Sequence, residues 1–396
     1  MIYLDHNATT PLDPRVLEVM LPYLGERWGN PSSPHRFGQE VRLAVEEARG
    51  RLARLLGCQA REVVFCASGT EADNLALRGV AAALRSRGRH VVTSAIEHHA
   101  VLGTCRALEA DGFRVTYLPV SREGVVDVEG LAGSLGPETI LVSVMHANNE
   151  TGVMQPIPEI AALTRERGIV LHTDAVQTTG KLPVRLGELG ADLVTLSAHK
   201  LYGPKGAAAL VVRVGTPLRP VTTGGSQELG LRAGTENVAG IVGLVEAVAL
   251  SLEEAEAEGR RIAALRDRLE AEVVSAIRDV RINGAGVPRV PNTTNLTFAG
   301  VDGESVVLGL DLRGICVSTG SACATGEPEP SHVLLAMGLT AHEAQGAVRL
   351  SLGRSTRPED VGVVVEALAE TVERLRRVSS LAQPAEASAR SGGMKG

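Results

Sequence analysis

Leu193-Val194-Thr195-Leu196-Ser197-Ala198-His199-Lys200, followed by Leu201-Tyr202-Gly203-Pro204-Lys205-Gly206, is the stretch on which the reading of the fold turns. A short apolar, β-rich run gives way to a cation and then to a Gly/Pro turn, as where a buried strand leaves a sheet. Runs of the same kind recur upstream at 63–65, 90–93, 114–118, 140–144 and 169–172, and downstream at 207–212. Helical stretches separate the earlier ones, for example over 70–87 and 156–167. This alternation predicts right-handed βαβ units and an α/β fold: a mostly parallel seven-stranded sheet covered by helices.

Residues 235–278 read as two helical runs broken near Gly259, a bridge out of the large domain. The pattern then changes to mixed strands (294–298, 347–352) and a last helix over about 357–377, which predicts a smaller α+β domain. The expected division is 13–258 for the large domain and 1–12 with 259–380 for the small one. The Ala/Ser/Gly-rich stretch 383–396 has no periodicity and is expected to be disordered.

With 396 residues there is ample chain for two cores. A net charge of −6 carries no sign of the basic surface that nucleic acid requires. No run approaches the roughly 20 apolar residues of a membrane span, and the first residues lack the pattern of a secretory signal. The five cysteines are odd in number and none has CxxC spacing, which argues against a disulfide framework and against zinc. A reducing, cytoplasmic setting and free-thiol chemistry are expected, with no metal.

Lys200 follows an apolar strand, at the sheet edge where open α/β sheets bind ligands. It reads either as a solvated loop lysine or as an amine able to form a Schiff base with a carbonyl cofactor. Asp174 ends another buried run, 170–174, and is either a helix cap or a carboxylate needing a cation, such as a protonated pyridine nitrogen. Gln177, three residues on, is in reach of a phenolic oxygen on such a ring.

Phe65-Cys66-Ala67-Ser68-Gly69-Thr70-Glu71-Ala72-Asp73-Asn74 is a strand, a Gly turn and a helix start, the arrangement that binds phosphate. Thr70 with Asp73 reads equally as a capping pair. His98 follows the run 90–93 and is either structural or a ring-stacking proton shuttle. Cys323 lies among small residues and ahead of a Gly/Pro-bearing stretch, the profile of a thiol on an exposed loop. Cys58, Cys66, Cys105 and Cys316 lie in or beside apolar runs and read as packing residues. Arg349, on a late strand, suits either a surface ion pair or a bidentate contact with a substrate carboxylate.

These residues, in this order, resemble the NifS/IscS-type cysteine desulfurases of the class V aminotransferases, within the fold-type I PLP enzymes. The resemblance runs from Tyr3-Leu4-Asp5-His6-Asn7-Ala8-Thr9-Thr10-Pro11 to about Arg377. It includes Gly29-Asn30-Pro31-Ser32-Ser33, Met145-His146-Ala147-Asn148-Asn149-Glu150-Thr151-Gly152, Gly224-Gly225-Ser226-Gln227-Glu228 and Arg349-Leu350-Ser351-Leu352-Gly353-Arg354. It implies pyridoxal 5′-phosphate as cofactor, with Lys200 as the Schiff-base lysine, His98 stacked on the ring, Asp174 at the pyridine nitrogen and Gln177 at the phenolic oxygen.

Asn149 would lie beside cofactor and substrate. Gly69, Thr70, Ser197 and His199 would bind the phosphate, joined by Thr235 from the partner subunit of a homodimer. Arg349 would hold the carboxylate of L-cysteine, and Cys323 would carry the persulfide to a sulfur-acceptor protein such as an iron–sulfur scaffold. Ser321-Ala322-Cys323 with Glu329-Pro330-Ser331-His332-Val333-Leu334 resembles the group with a long catalytic loop. The chain departs from the family pattern at Leu229 (commonly Arg), Ser226 (Gly) and Ala233 (Ser); Leu229 removes a charge close to the dimer-side phosphate site. Rival readings are a selenocysteine lyase, an ordinary class V aminotransferase, and a non-enzymatic sulfur-transfer scaffold.

Overall fold

The computed structural model of the chain describes residues 1–182, 186–319 and 330–378. The sequence expectation for the tail 383–396 lies outside the described residues. After a two-residue β1 (Ile2–Tyr3), seven strands build the main sheet: β2 (Val63–Cys66), β3 (His90–Ser94), β4 (Arg114–Leu118), β5 (Thr139–Ser143), β6 (Val170–Asp174), β7 (Leu193–Ser197) and β8 (Ala208–Val212). Each of the seven runs read from the sequence is one of these strands.

Their order across the sheet is β2-β8-β7-β6-β5-β3-β4. β8 is antiparallel to both its neighbours and the other pairs are parallel, so the sheet is mostly parallel as expected. Successive side chains of a strand leave on opposite faces, and here both faces are apolar. Val64, Cys66, Leu193 and Leu210 pack with the helices Gly69–Leu84 and His99–Ala110. Val63, Phe65, Val194 and Leu196 pack with the helix Arg36–Leu56 and the first half of the helix Val238–Ala276.

That last helix corrects the sequence reading: it runs 39 residues without a break at Gly259. An interior glycine costs a helix about 1 kcal/mol, but each flank is pinned by packing. Leu244, Val245 and Val248 belong to the core of the large sheet, whereas Ile262, Leu265, Leu269 and Val273 belong to a second core. Breaking the helix would forfeit far more apolar burial than the glycine costs.

The second core surrounds a three-stranded antiparallel sheet in which β10 (Thr293–Phe298) lies between β9 (Val280–Ile282) and a late strand, Ala347–Ser351. Between them in the chain, β11 (Ile315–Cys316) pairs in parallel with β1, so the late strand is β12. Leu4 and the final helix Pro358–Val378 complete the packing. The N-terminal segment thus starts in the second core and, through Asn7, reaches the edge of the large sheet, where Lys200 stands.

Candidate active site

β2, β3, β5, β6 and β7 run in one direction, so their C-terminal ends share an edge, the usual binding edge of such sheets. Five chain segments leaving that edge, joined by Asn7, Ala8, Ser318 and Arg349, enclose a cavity of about 410 Å³. Past β2, Gly69 and Thr70 line it, and so does Asp73. The cap of this helix is Ser68, whose Oγ accepts the Glu71 N–H at 3.1 Å, and not the Thr70–Asp73 pair that the sequence allows. Ser68 thereby leaves the first helical amides, at Gly69 and Thr70, without an intrahelical acceptor. A Cβ on Gly69 would stand 3.2 Å from Val176 Cγ2 and 3.7 Å from Ser197 Cβ, so the glycine keeps a cradle open beside the end of β7.

Past β3, His98 caps the helix His99–Ala110, its Nδ1 accepting the Ala100 N–H at 3.1 Å while the ring faces the cavity. Asn149 follows β5, Asp174 ends β6 with Gln177 just beyond, and Ser197 ends β7. His199 and Lys200 occupy one 3-10 turn, Ala198–Lys200, and both line the cavity. Arg349 comes from β12; its Nη2 donates to Asp5 Oδ1 (2.7 Å) and its Nη1 to the Asn149 carbonyl (3.0 Å). Arg349 Nε is buried and has no partner among the described residues.

Two expected site residues are not among these. Thr235 is exposed and lines a separate depression with Glu228 and Arg232. Cys323 lies outside the described residues; upstream of it, Ser318 lines the cavity and exchanges backbone hydrogen bonds with Arg349. Downstream, Ser331 Oγ donates to the buried carboxylate of Glu150. Of the other cysteines, Cys66 and Cys105 are buried; burial pushes the Cys105 thiol up to about 12 and that of Cys58 up to about 11. That is the behaviour of packing residues and not of nucleophiles.

The electrostatics follow from burial in a ring of charges. Lys200 Nζ donates to the carbonyls of Asn7 (2.7 Å) and Ala8 (2.6 Å). Burial, then the Arg349 charge, bring it down to about 8, so a usable fraction is neutral amine near pH 7. Asp174 goes the other way, up to about 7, from burial and the nearby Asp73 carboxylate, with one oxygen occupied by the Val176 N–H at 2.9 Å. Asp174 is therefore a buried acid wanting a cation. Asp73, also raised to about 7 by burial, has an Oδ1 without a hydrogen bond among the described residues. The surrounding protein and the Lys200 charge push His98 down to about 4, which keeps its ring neutral at pH 7.

The sequence reading missed Asn7, Asp73 and Lys181. Asn7 lines the cavity and its carbonyl accepts from both Lys200 and Gln177 (3.1 Å). Lys181 Nζ donates to Asn7 Oδ1 (2.9 Å) and Gln177 Oε1 (2.7 Å). The available signal was its spacing, four residues after Gln177. Among the described residues no cluster of His, Cys, Asp and Glu could hold a metal ion, and no helix is long and apolar enough to cross a membrane.

One cavity at the strand ends of a mostly parallel α/β sheet thus brings together a lowered lysine, a raised aspartate and a glycine-opened helix start. The profile described as aminotransferase class-V matches residues 2–364. The chain belongs to that family and, within it, to the NifS/IscS-type cysteine desulfurases. It is 50% identical over 382 residues to cysteine desulfurase IscS of Dictyoglomus turgidum, covering 96% of this chain and 97% of the relative. A cysteine desulfurase of Trichormus azollae is 48% identical over 379 residues, covering 96% and 94%. A solved structure titled NIFS-like protein superposes with a TM-score of 0.89 at 38% identity, over 94% of this chain and all of that one.

Proposed function

We propose that the chain takes the sulfur from L-cysteine with the help of pyridoxal 5′-phosphate, releasing L-alanine and leaving the sulfur as a persulfide on Cys323. The observation that carries this reading is the convergence of Lys200, Asp174 and the Gly69 cradle on one cavity. The donor set suits the cofactor: a buried acid for a protonated pyridine nitrogen, an amine for the aldehyde carbon, and helix amides with Ser197 and His199 for the phosphate. When bound, the cofactor supplies an electron sink for the substrate's Cα carbanion.

The residues then divide the work. Arg349, which lines the cavity, holds the substrate carboxylate. Lys200, near 8, holds the cofactor and afterwards takes and returns the Cα proton. Asp174 would pair with the protonated pyridine nitrogen, a buried acid being costly without such a partner. The neutral ring of His98 covers the site and can accept a proton. The Cys323 thiolate attacks the substrate sulfur: an S–S bond forms, the C–S bond breaks, and its electron pair returns to carbon, where protonation completes alanine.

Thr235 stands away from the cavity of its own chain, which supports its serving a partner's cofactor in a homodimer. The two apolar cores support the division into 13–258 and 1–12 with 259–380. A sulfur-acceptor protein of the iron–sulfur scaffold kind takes the persulfide, in the cytoplasm. The test is a pair of variants assayed for sulfide from L-cysteine. Cys323→Ala should keep the cofactor absorbance and lose sulfide release, whereas Lys200→Ala should lose the absorbance band. Sulfide production by Cys323→Ala would remove Cys323 from the reaction.

A further inference from the structure

Behind Lys200 lies a second, smaller cavity of about 50 Å³, lined by His6, Lys181, Tyr202 and Glu258 among others. Lys200 lines both cavities; Lys181 lines only this rear one. Lys181 therefore has no place in contact with substrate or cofactor, yet its amine is bound to two groups at the front. We infer that Lys181 is a positioning residue that sets the Gln177 amide, and through it the group that faces the cofactor.

The hydrogen bonds run in one sense. Gln177 Nε2 donates to the Asn7 carbonyl, which can only accept, so Oε1 must face Lys181 Nζ, which donates at 2.7 Å. Asn7 is fixed likewise: its Oδ1 accepts from Lys181 (2.9 Å) and Asn292 (3.0 Å), and its Nδ2 donates to Thr293 Oγ1 (2.8 Å) and the Asn149 carbonyl (3.1 Å). Burial, together with the charges of Lys200 and Arg349, holds Lys181 well below the ordinary lysine range. Its amine donates to both Asn7 and Gln177. The Gln177 amide then keeps one hydrogen for the cavity it lines. Among the described residues, the Asn7 carbonyl is then the hydrogen-bond partner left to that amide without Lys181.

The inference rests on Gln177 meeting the cofactor's phenolic oxygen. Its test is a double-mutant cycle on the dissociation constant of pyridoxal 5′-phosphate from the full-length apoprotein, using Lys181→Met, Gln177→Met and the double variant. Lys181→Met should weaken binding about tenfold. The double variant should be no weaker than Gln177→Met alone, because Lys181 acts through that amide. The pH titration of the bound cofactor's absorbance should also move in Lys181→Met. Lys181→Ala, which also removes the donor, carries the same cycle should the methionine variant not fold. Unchanged binding by Lys181→Met, or additive losses in the double variant, would overturn the inference. Failure of the wild-type protein to take up the cofactor would instead sink the functional reading on which it rests.

Discussion

Replacing Asp174 by asparagine should stabilise the cofactor-free protein and weaken cofactor binding, two effects of opposite sign from one atom exchange. In the free protein the Asp174 carboxyl is buried beside Asp73 and raised from 3.8 to about 7. A group raised in this way contributes stability that is fully present below about pH 4 and is lost as the pH rises through about 7. Ionised Asp174 therefore costs the fold on the order of 4 kcal/mol above neutrality. Asparagine is never ionised, and its Oδ1 can still accept the Val176 N–H that Asp174 accepts at 2.9 Å. It also relieves Asp73 of a like charge.

Urea unfolding of apoprotein should thus show no difference between the two proteins near about pH 4. The asparagine variant's advantage should open between about pH 4 and about pH 7 and stay level above that. With cofactor the sign reverses. Asparagine cannot hold the pyridine proton, and the loss of a charge-assisted hydrogen bond corresponds to roughly 10- to 100-fold weaker binding. An asparagine apoprotein that is less stable at about pH 8, or whose advantage does not vary with pH, would refute the assignment of Asp174 as an acid lacking its cation.

Three further outcomes are expected. Gly259→Ala should stabilise the protein by about 0.5–1 kcal/mol in denaturant unfolding, since the helix is unbroken there and a Cβ meets nothing nearer than the Lys181 carbonyl at 3.7 Å. Glu228→Ala should cost about 3–5 kcal/mol, because Glu228 accepts two buried hydrogen bonds from Arg49 (both 2.8 Å) and one from the Phe65 N–H (2.7 Å), and its loss leaves the buried Arg49 charge to the exposed Glu46 at 3.4 Å. Gly69→Ala should weaken cofactor binding at least about tenfold by titration, as its methyl group, 3.2 Å from Val176 Cγ2, narrows the cradle at the helix start.

The seven strands were legible because a sheet covered on both faces needs unbroken apolar runs, and β-rich runs such as 193–196 and 207–212 are visible without tertiary information. Site residues at strand ends were legible for the same reason: a parallel sheet brings Gly69, His98, Asp174 and Lys200 to one edge whatever the loops do. The antiparallel direction of β8 was not legible, since it depends on how the chain turns after Gly206. The Gly259 break failed because a local cost was visible and the packing that outweighs it was not. Leu229 is 57% exposed with φ of 60°, beside Glu228 at φ 46°. The buried Glu228–Arg49 pair anchors that turn, and nothing in the structure explains the leucine.

Asn7 and Lys181 were missed for a different reason, and it bears on how the site is assembled. Neither belongs to a strand end. Their roles appear only when the N-terminal segment crosses from the second core, where Leu4 is packed and Asp5 pairs with Arg349, to the turn that carries Lys200. Along five residues, that segment touches the arginine expected to hold substrate and the lysine expected to hold cofactor. Through Asn7 it also touches Gln177, Lys181, Asn149 and Asn292. The run Tyr3–Pro11, which the sequence offered only as a resemblance, thereby acquires a physical purpose. It makes the position of Arg349 in one core and of Lys200 at the edge of the other answer to a single short stretch of backbone. A shift between the cores would then be transmitted to Arg349 and Lys200 at once, through Asp5 on one side and the Asn7 carbonyl on the other.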